Sequence, residues 1–486
     1  MIVGIFGQLL LVVVFFVVVR KVFLARHGGI HGANIRRVFQ YLILFILIII
    51  IGFGLTGLIT QALNASGSLT RDSVALARDT TFVVIGAPLF TFIAIWTRRA
   101  FKADESEKLA FTWRSYLLGT CLVSLTSAMF GLYDFLMWAL GNENLNKGSL
   151  PRLIVWGAIF ASHWILQQRT VTRELAIGHY ILGSLVGLVI GITGLVQMLN
   201  RFFQWVLRTD SDKLISFGTE SIIRGSIIFI IGTAIWLLYW VFHAARLKNE
   251  PLWLAYVLLA GTAASIIMVV VSLSLALDRV LVWFIGDTYG SKEIDHFSNL
   301  PTYISATAVG IIVWIYHQSL LDSSLRVKRP EIVRIREYLL AAIGLATTGV
   351  GISLIIVSLI ETLTSSTIVT GSSAINTLLG AGTLLISGIP LWWLYWSSAQ
   401  RAAHRDPHGE SQSQTRRMYL LLLFGLMGIT AIVSLLVAFF LFFQDLFQGN
   451  FGLASLNRVR VPLSILITAA AVSLYHWQVR REVQIS

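Results

Sequence analysis

The chain has 486 residues, of which 56% are hydrophobic and 13% charged, and its mean hydropathy is +0.77. Soluble globular chains carry about 25% charged residues, so a large water-facing surface is excluded. The net charge of +13 would suit a nucleic-acid binder only if the cations lay together on a soluble domain, and their distribution says otherwise.

Apolar windows long enough to cross about 30 Å of hydrocarbon, about 20 residues at 1.5 Å each, recur from end to end. Thirteen spans are predicted, at 3–24, 37–60, 82–100, 112–140, 151–169, 178–200, 222–245, 252–284, 301–321, 336–362, 373–397, 417–447 and 461–479. The connections are too short for a separate soluble domain. The expected fold is all-α, a polytopic transmembrane helical bundle. The first window lacks a basic segment before it and a small-residue cleavage pattern after it, so an uncleaved anchor is expected in residues 1–36. Most of the 37 Lys and Arg fall in alternate connections, around 20–37, 98–114, 169–173, 246–248, 326–336, 401–417 and 480–481. Excess cations in short loops mark the cytoplasmic face. The sequence thus predicts a multi-pass cell-membrane protein with its N-terminus outside and its C-terminus cytoplasmic.

Behind the anchor, twelve spans divide into three blocks of four, at 37–169, 178–321 and 336–479. The first span of each block carries a small-residue patch: "GLTGLI" (54–59), "GITGLV" (191–196) and "GISLII" (351–356). The second carries aromatics, with Trp236, Tyr239 and Trp240 matching Trp392, Tyr395 and Trp396 on one helical face. The third has an aspartate near its far end: Asp134, Asp278 or Asp445. The fourth opens at or near a proline (Pro151, Pro301, Pro462) and closes with a histidine (His163, His317, His476). Four features in matching order predict three parallel copies of a four-span unit. The pattern resembles a family of bacterial membrane proteins known as a domain of unknown function, with repeated groups of spans and Trp/Tyr/His-rich ends. That resemblance implies repetition across about 37–480 and carries no substrate or catalytic residue.

Chemistry has few candidates. His163, His317 and His476, with Trp240 and Trp396, form a candidate cluster at the cytoplasmic interface, where amphipathic rings settle and a histidine can donate to the last free carbonyls of its helix. The sharper alternative is haem ligation. His179 and His243 are possible partners there, but neither has a counterpart in the other blocks. No cofactor is therefore predicted, with haem kept as an alternative, and no metal site. "RHGGIH" (26–31) and "HRDPHGE" (404–410) hold paired histidines, yet their Gly and Pro residues disfavour helical presentation of zinc ligands, and solvated basic loops are expected. Cys121 is the only cysteine, so no intrachain disulfide forms.

Asp134, Asp278 and Asp445 form a candidate polar site near the outer ends, since an ionisable group inside a bilayer is costly. The plainer reading pairs them with Arg152, Arg279 or Arg458. The glycine patches suit close helix approach. No H-E-x-x-H, G-x-S-x-G or Walker signature is present. The expected function is a noncatalytic membrane scaffold, or a component binding lipid or a membrane-protein partner, with no nucleic acid. Passage of a small neutral solute past Thr56, Thr193 and Ser353, or electron transfer through haem, are the alternatives.

Overall fold

A computed structural model describes residues 32–64, 73–144, 146–207, 219–248, 250–322, 331–364 and 373–485. The expected anchor at 3–24 and the segment 26–31 lie outside the described residues. The described residues are almost wholly helical and contain no strand. Twelve helices among them are long and apolar enough to cross a membrane. In chain order these are α1 (Gly32–Asn64), α2 (Ser73–Ala103), α3 (Phe111–Ala139), α4 (Ser149–Thr170), α5 (Ile177–Leu207), α6 (Glu220–Arg246), α7 (Pro251–Phe284), α8 (Leu300–Asp322), α9 (Glu331–Thr364), α10 (Ala374–Arg405), α11 (Gln414–Phe447) and α12 (Leu453–Ile485). The protein is an all-α, multi-pass membrane protein.

Helix is the form these apolar stretches must take, because hydrocarbon offers no partner to a free backbone N–H or C=O. Hydroxyls on these helices obey the same rule. Thr56 donates to the Gly52 carbonyl at 2.7 Å, Thr193 to Val189 at 2.8 Å and Thr348 to Gly344 at 2.8 Å, each one turn back on its own helix. Ser353 instead donates to the Thr468 hydroxyl at 3.0 Å.

The described residues form two compact units. One runs up to Leu195 and adds Thr219–Leu254; the other takes the end of α5 from Val196 and the residues from Ala255 onward. The division passes through residues 178–321.

In the first unit α1 packs on α2 and α3, and α3 on α4. Ile48, Ala128, Val155, Trp156 and Ile159 form a core cluster there. Gly52 leaves room for the Trp156 ring, which a Cβ would meet at 2.9 Å. The α5–α6 contact is closer still: a Cβ on Gly232 would lie 2.2 Å from the Gly191 nitrogen, so the two backbones touch. Small residues permit such approach in membranes, where no solvent drives helices together. Two π-helical turns, Leu237–Val241 and Tyr256–Ala263, interrupt α6 and α7. The first lies in this unit and buries Tyr239 and Trp240.

In the second unit α9 packs on α10 and α12, α11 on α12, and α7 on α8 and α10. Its core cluster comprises Tyr338, Ala341, Trp396, Ala399, Tyr419, Leu420 and Val479. Helix α9 has 34 residues, about 50 Å at helical rise, so its ends extend past the hydrocarbon.

Candidate functional site

The sequence reading placed the histidines at helix ends, donating to the last free carbonyls, but they are not end caps. Their helices continue to Thr170, Asp322 and Ile485, and all three rings are buried. Each uses Nδ1 in the same way. His163 donates to the Ile159 carbonyl, His317 to Val313 and His476 to Val472, all at 2.8 Å. A carbonyl only accepts, so Nδ1 carries the proton and Nε2 is left as an acceptor.

What Nε2 meets differs between units. In the first, the Tyr116 hydroxyl of α3 donates to His163 Nε2 at 2.8 Å. Tyr116 in turn lies 5.3 Å from Trp113 and 6.2 Å from Tyr41, ring to ring. Both imidazole nitrogens of His163 are thereby engaged, which leaves no lone pair for a metal or haem iron. In the second unit His476 sits 5.5 Å from Trp396 and 5.9 Å from Tyr419. The Tyr419 ring lies tilted 4.7 Å from Tyr338, and Trp396 donates to the Tyr475 hydroxyl at 2.8 Å. Here His476 Nε2 and the Tyr419 hydroxyl take no hydrogen bond from the described residues. His317 lies over Gly261, where a Cβ would meet its ring at 2.2 Å, and 5.7 Å from Tyr256. Trp240, grouped with the histidines in the sequence reading, stacks on Trp253 at 6.1 Å. His179, set aside there, is wholly buried, bonded to Gln167 and to the Tyr239 hydroxyl.

A charged clasp closes the basic end of each unit. Glu107, buried in the short helix Ser106–Leu109, takes Arg36 and Arg37, the latter at 2.9 Å. Glu410, buried in the helix Pro407–Gln412, takes Arg334 at 2.9 Å, and Arg334 also reaches Glu331 at 2.8 Å. Asp406 caps that short helix by accepting from the Gly409 N–H at 2.9 Å. The segment 404–410 is thus built around Glu410 and its arginine. In the first unit Asp104, just before the short helix, accepts from the Ser106 hydroxyl and N–H, both at 2.8 Å, which holds its carboxyl below the ordinary range.

The three aspartates stand as follows. Asp134 takes Asn146 at 3.1 Å and Arg152 at 3.9 Å. Asp445, only 3% exposed, pairs with Arg458. Asp278 is half-buried, its Oδ1 3.4 Å from where a Gly380 Cβ would stand, and no Arg279 ion pair forms. Besides the clasp glutamates, two further carboxylates escaped sequence reasoning. Asp79 of α2, 2% exposed, lies against Gly57 with Arg78 at 2.9 Å and Gln61 at 3.0 Å. Glu361 of α9 takes Arg460 at 3.1 Å.

Two cavities accompany these groups. One, about 430 Å³, is lined by Phe92, Ile95, Trp96 and Arg99; the other, about 260 Å³, by Asp445, Asn450, Ala454, Asn457, Arg458 and Arg460.

The two tyrosine–histidine clusters and two clasps describe one pattern written twice. The model of one family, Domain of unknown function (DUF5671), matches residues 37–171 and 334–471, more than half of the chain. The chain belongs to this family. No curated protein and no solved structure matches it. The two DUF5671 copies begin at clasp arginines, Arg37 and Arg334, and in each the tyrosine four residues on, Tyr41 or Tyr338, enters the aromatic cluster. This register is the signal that sequence reasoning missed, since the blocks were matched on glycine patches, second-span aromatics, aspartates and the proline-to-histidine spans. The tyrosine of the third span, in Trp113-Arg-Ser-Tyr116 and Arg416-Arg-Met-Tyr419, was missed for the same reason.

Proposed function

We propose that the protein is a noncatalytic component of the cell membrane that binds lipid or a membrane-protein partner through the periphery of its helix bundle. The observation that carries this reading is where free chemistry remains. Within and at the edge of the first DUF5671 copy the ionisable groups answer one another: His163 with Tyr116, Glu107 with Arg37 and the adjoining Arg36, Asp79 with Arg78. At its rim Arg98 and Arg99 are exposed, and neither meets a carboxylate among the described residues. Cations without internal partners suit an anionic surface.

In this reading the basic ends face the cytoplasm, with the N-terminus outside and the C-terminus inside, and residues 178–321 are a diverged third copy. The latter is supported by His317, which repeats the i−4 carbonyl bond of His163 and His476 and likewise lies beside a third-span tyrosine.

The test is affinity purification from native membranes in mild detergent, followed by extraction of bound lipid and identification of associated chains. Reproducible co-purification of one lipid class or one membrane protein is expected. A chain that returns alone and lipid-free would refute the reading. Passage of a small neutral solute is a second reading, favoured by the polar cavity between Asp445, Asn457, Arg458 and Arg460. Solute flux into proteoliposomes that is lost on Asp445→Asn would put it first.

A further inference from the structure

The groove of about 430 Å³ on α2 has a polarity of its own. Phe92, Ile95, Trp96 and Arg99 follow at i, i+3, i+4 and i+7, so they share one helical face, and about 10 Å of axis separates the first from the last. Phe92 is 70% exposed and Ile95 and Trp96 are also open, giving an apolar floor that ends on a cation. Trp96 is braced by Arg36, whose guanidinium lies 5.9 Å from the ring centroid while it is itself held by Glu107. The principal packing partner of α2 is α1, on another face.

The second copy supplies an internal comparison. Gly86-x-Pro88 and Gly388-x-Pro390 set the register between α2 and α10. Arg401 then stands in the place of Arg99, but Ser397 and Ser398 replace Ile95 and Trp96. The Ser398 hydroxyl donates to Glu337 at 2.8 Å. Only the first copy joins an apolar wall to its cation.

The geometry points to this groove as the seat of one acidic glycerophospholipid, with an acyl chain along Phe92 and Ile95 and the phosphate at Arg99. Trp96 lies between them, at the depth where indole rings settle against glycerol and headgroup. This rests on the lipid-binding reading and adds to it a site, a lipid class and a stoichiometry of one. Net charge is the discriminating feature, because the phosphate of phosphatidylcholine is already balanced by its own choline. One cation facing an anionic headgroup changes affinity about fivefold.

The experiment titrates purified full-length protein with phosphatidylglycerol and with phosphatidylcholine of the same chains, and counts bound lipid by native mass spectrometry. The wild type, Arg99→Gln and Arg401→Gln are compared; both arginines are exposed, so folding is not at stake. The expected result is one phosphatidylglycerol held in preference to phosphatidylcholine, weakened about fivefold by Arg99→Gln and unchanged by Arg401→Gln. Equal binding by Arg99→Gln and wild type overturns the site. Loss through Arg401→Gln instead moves the lipid to α10, overturning the groove and sparing the lipid-binding reading. No preference in the wild type overturns both. A photoreactive residue in place of Ile95 that captures a polypeptide and no lipid overturns the occupant.

Discussion

Removing the Tyr116 hydroxyl tests whether the tyrosine–histidine pair holds the first copy together. In Tyr116→Phe, the ring stays and only the donor to His163 Nε2, at 2.8 Å, is lost. The His163 Nδ1–H remains tied to the Ile159 carbonyl, so the imidazole cannot turn its other nitrogen to a new partner without breaking that bond. A buried acceptor is left unsatisfied. Such a loss costs ~1–3 kcal/mol in water-soluble cores, and interhelical hydrogen bonds in membranes sit at the lower end, ~0.6–1.7 kcal/mol. A cost of ~1–2 kcal/mol is expected. Tyr419→Phe is the matched control, because the Tyr419 hydroxyl takes no partner from the described residues. Its removal is expected to cost under ~0.5 kcal/mol, the value for a substitution that disturbs no such feature. The assay is reversible unfolding of full-length protein in mixed micelles by added denaturing detergent, followed through tryptophan fluorescence, since thermal unfolding of large proteins is often irreversible. Equal cost for the two substitutions, or none for Tyr116→Phe, would refute the idea that the two clusters differ in how their histidine is satisfied.

Four further outcomes are expected. Glu107→Gln leaves Arg36 and Arg37 without their carboxylate; because both arginines keep some water contact, the cost is ~1–2 kcal/mol rather than the ~3–5 of a fully buried pair, read in the same unfolding assay. Gly232→Ala forces α5 from α6, since its Cβ would meet the Gly191 nitrogen at 2.2 Å, and should lower the yield of folded protein on gel filtration, whereas Gly157→Ala, with open space around it, should not. In a Cys121→Ser background, a cysteine replacing exposed Glu105 should resist a membrane-impermeant maleimide on intact cells, and one replacing exposed Glu143 should react; the reverse pattern would invert the topology. Asp104 is held below its ordinary value near 3.8 by the hydrogen bonds from the Ser106 hydroxyl and N–H. A depressed folded-state value means the stabilisation from these bonds is complete above that ordinary value and is lost as pH falls through the depressed one. Amide exchange at Ser106 should therefore quicken only in strong acid, and Asp104→Asn should remove that dependence.

Part of this protein is written in the chain alone. Class follows from apolar length and cation placement, because hydrocarbon admits few structures and charges resist crossing it. The repetition was also legible: the blocks at 37–169 and 336–479 coincide closely with the two family matches at 37–171 and 334–471. The histidines His163, His317 and His476 were legible as recurring residues but not as a common bond, since an i−4 carbonyl contact leaves no trace in composition.

Tertiary structure decided which groups answer which. Tyr116 and His163 are 47 residues apart, and Arg37 and Glu107 are 70 apart; nothing local requires either pairing. Their partnership depends on helices crossing at one height, which the approach distances of glycines and aromatics set. The carboxylates show the same limit. Asp134 and Asp445 were singled out for their place near a span end, while Asp79, more deeply buried than Asp134, precedes the predicted span at 82–100 and becomes notable only because Gly57 leaves room for it. Hydropathy records how much of a chain must leave water, but the depth and company of each polar group are properties of the packed bundle.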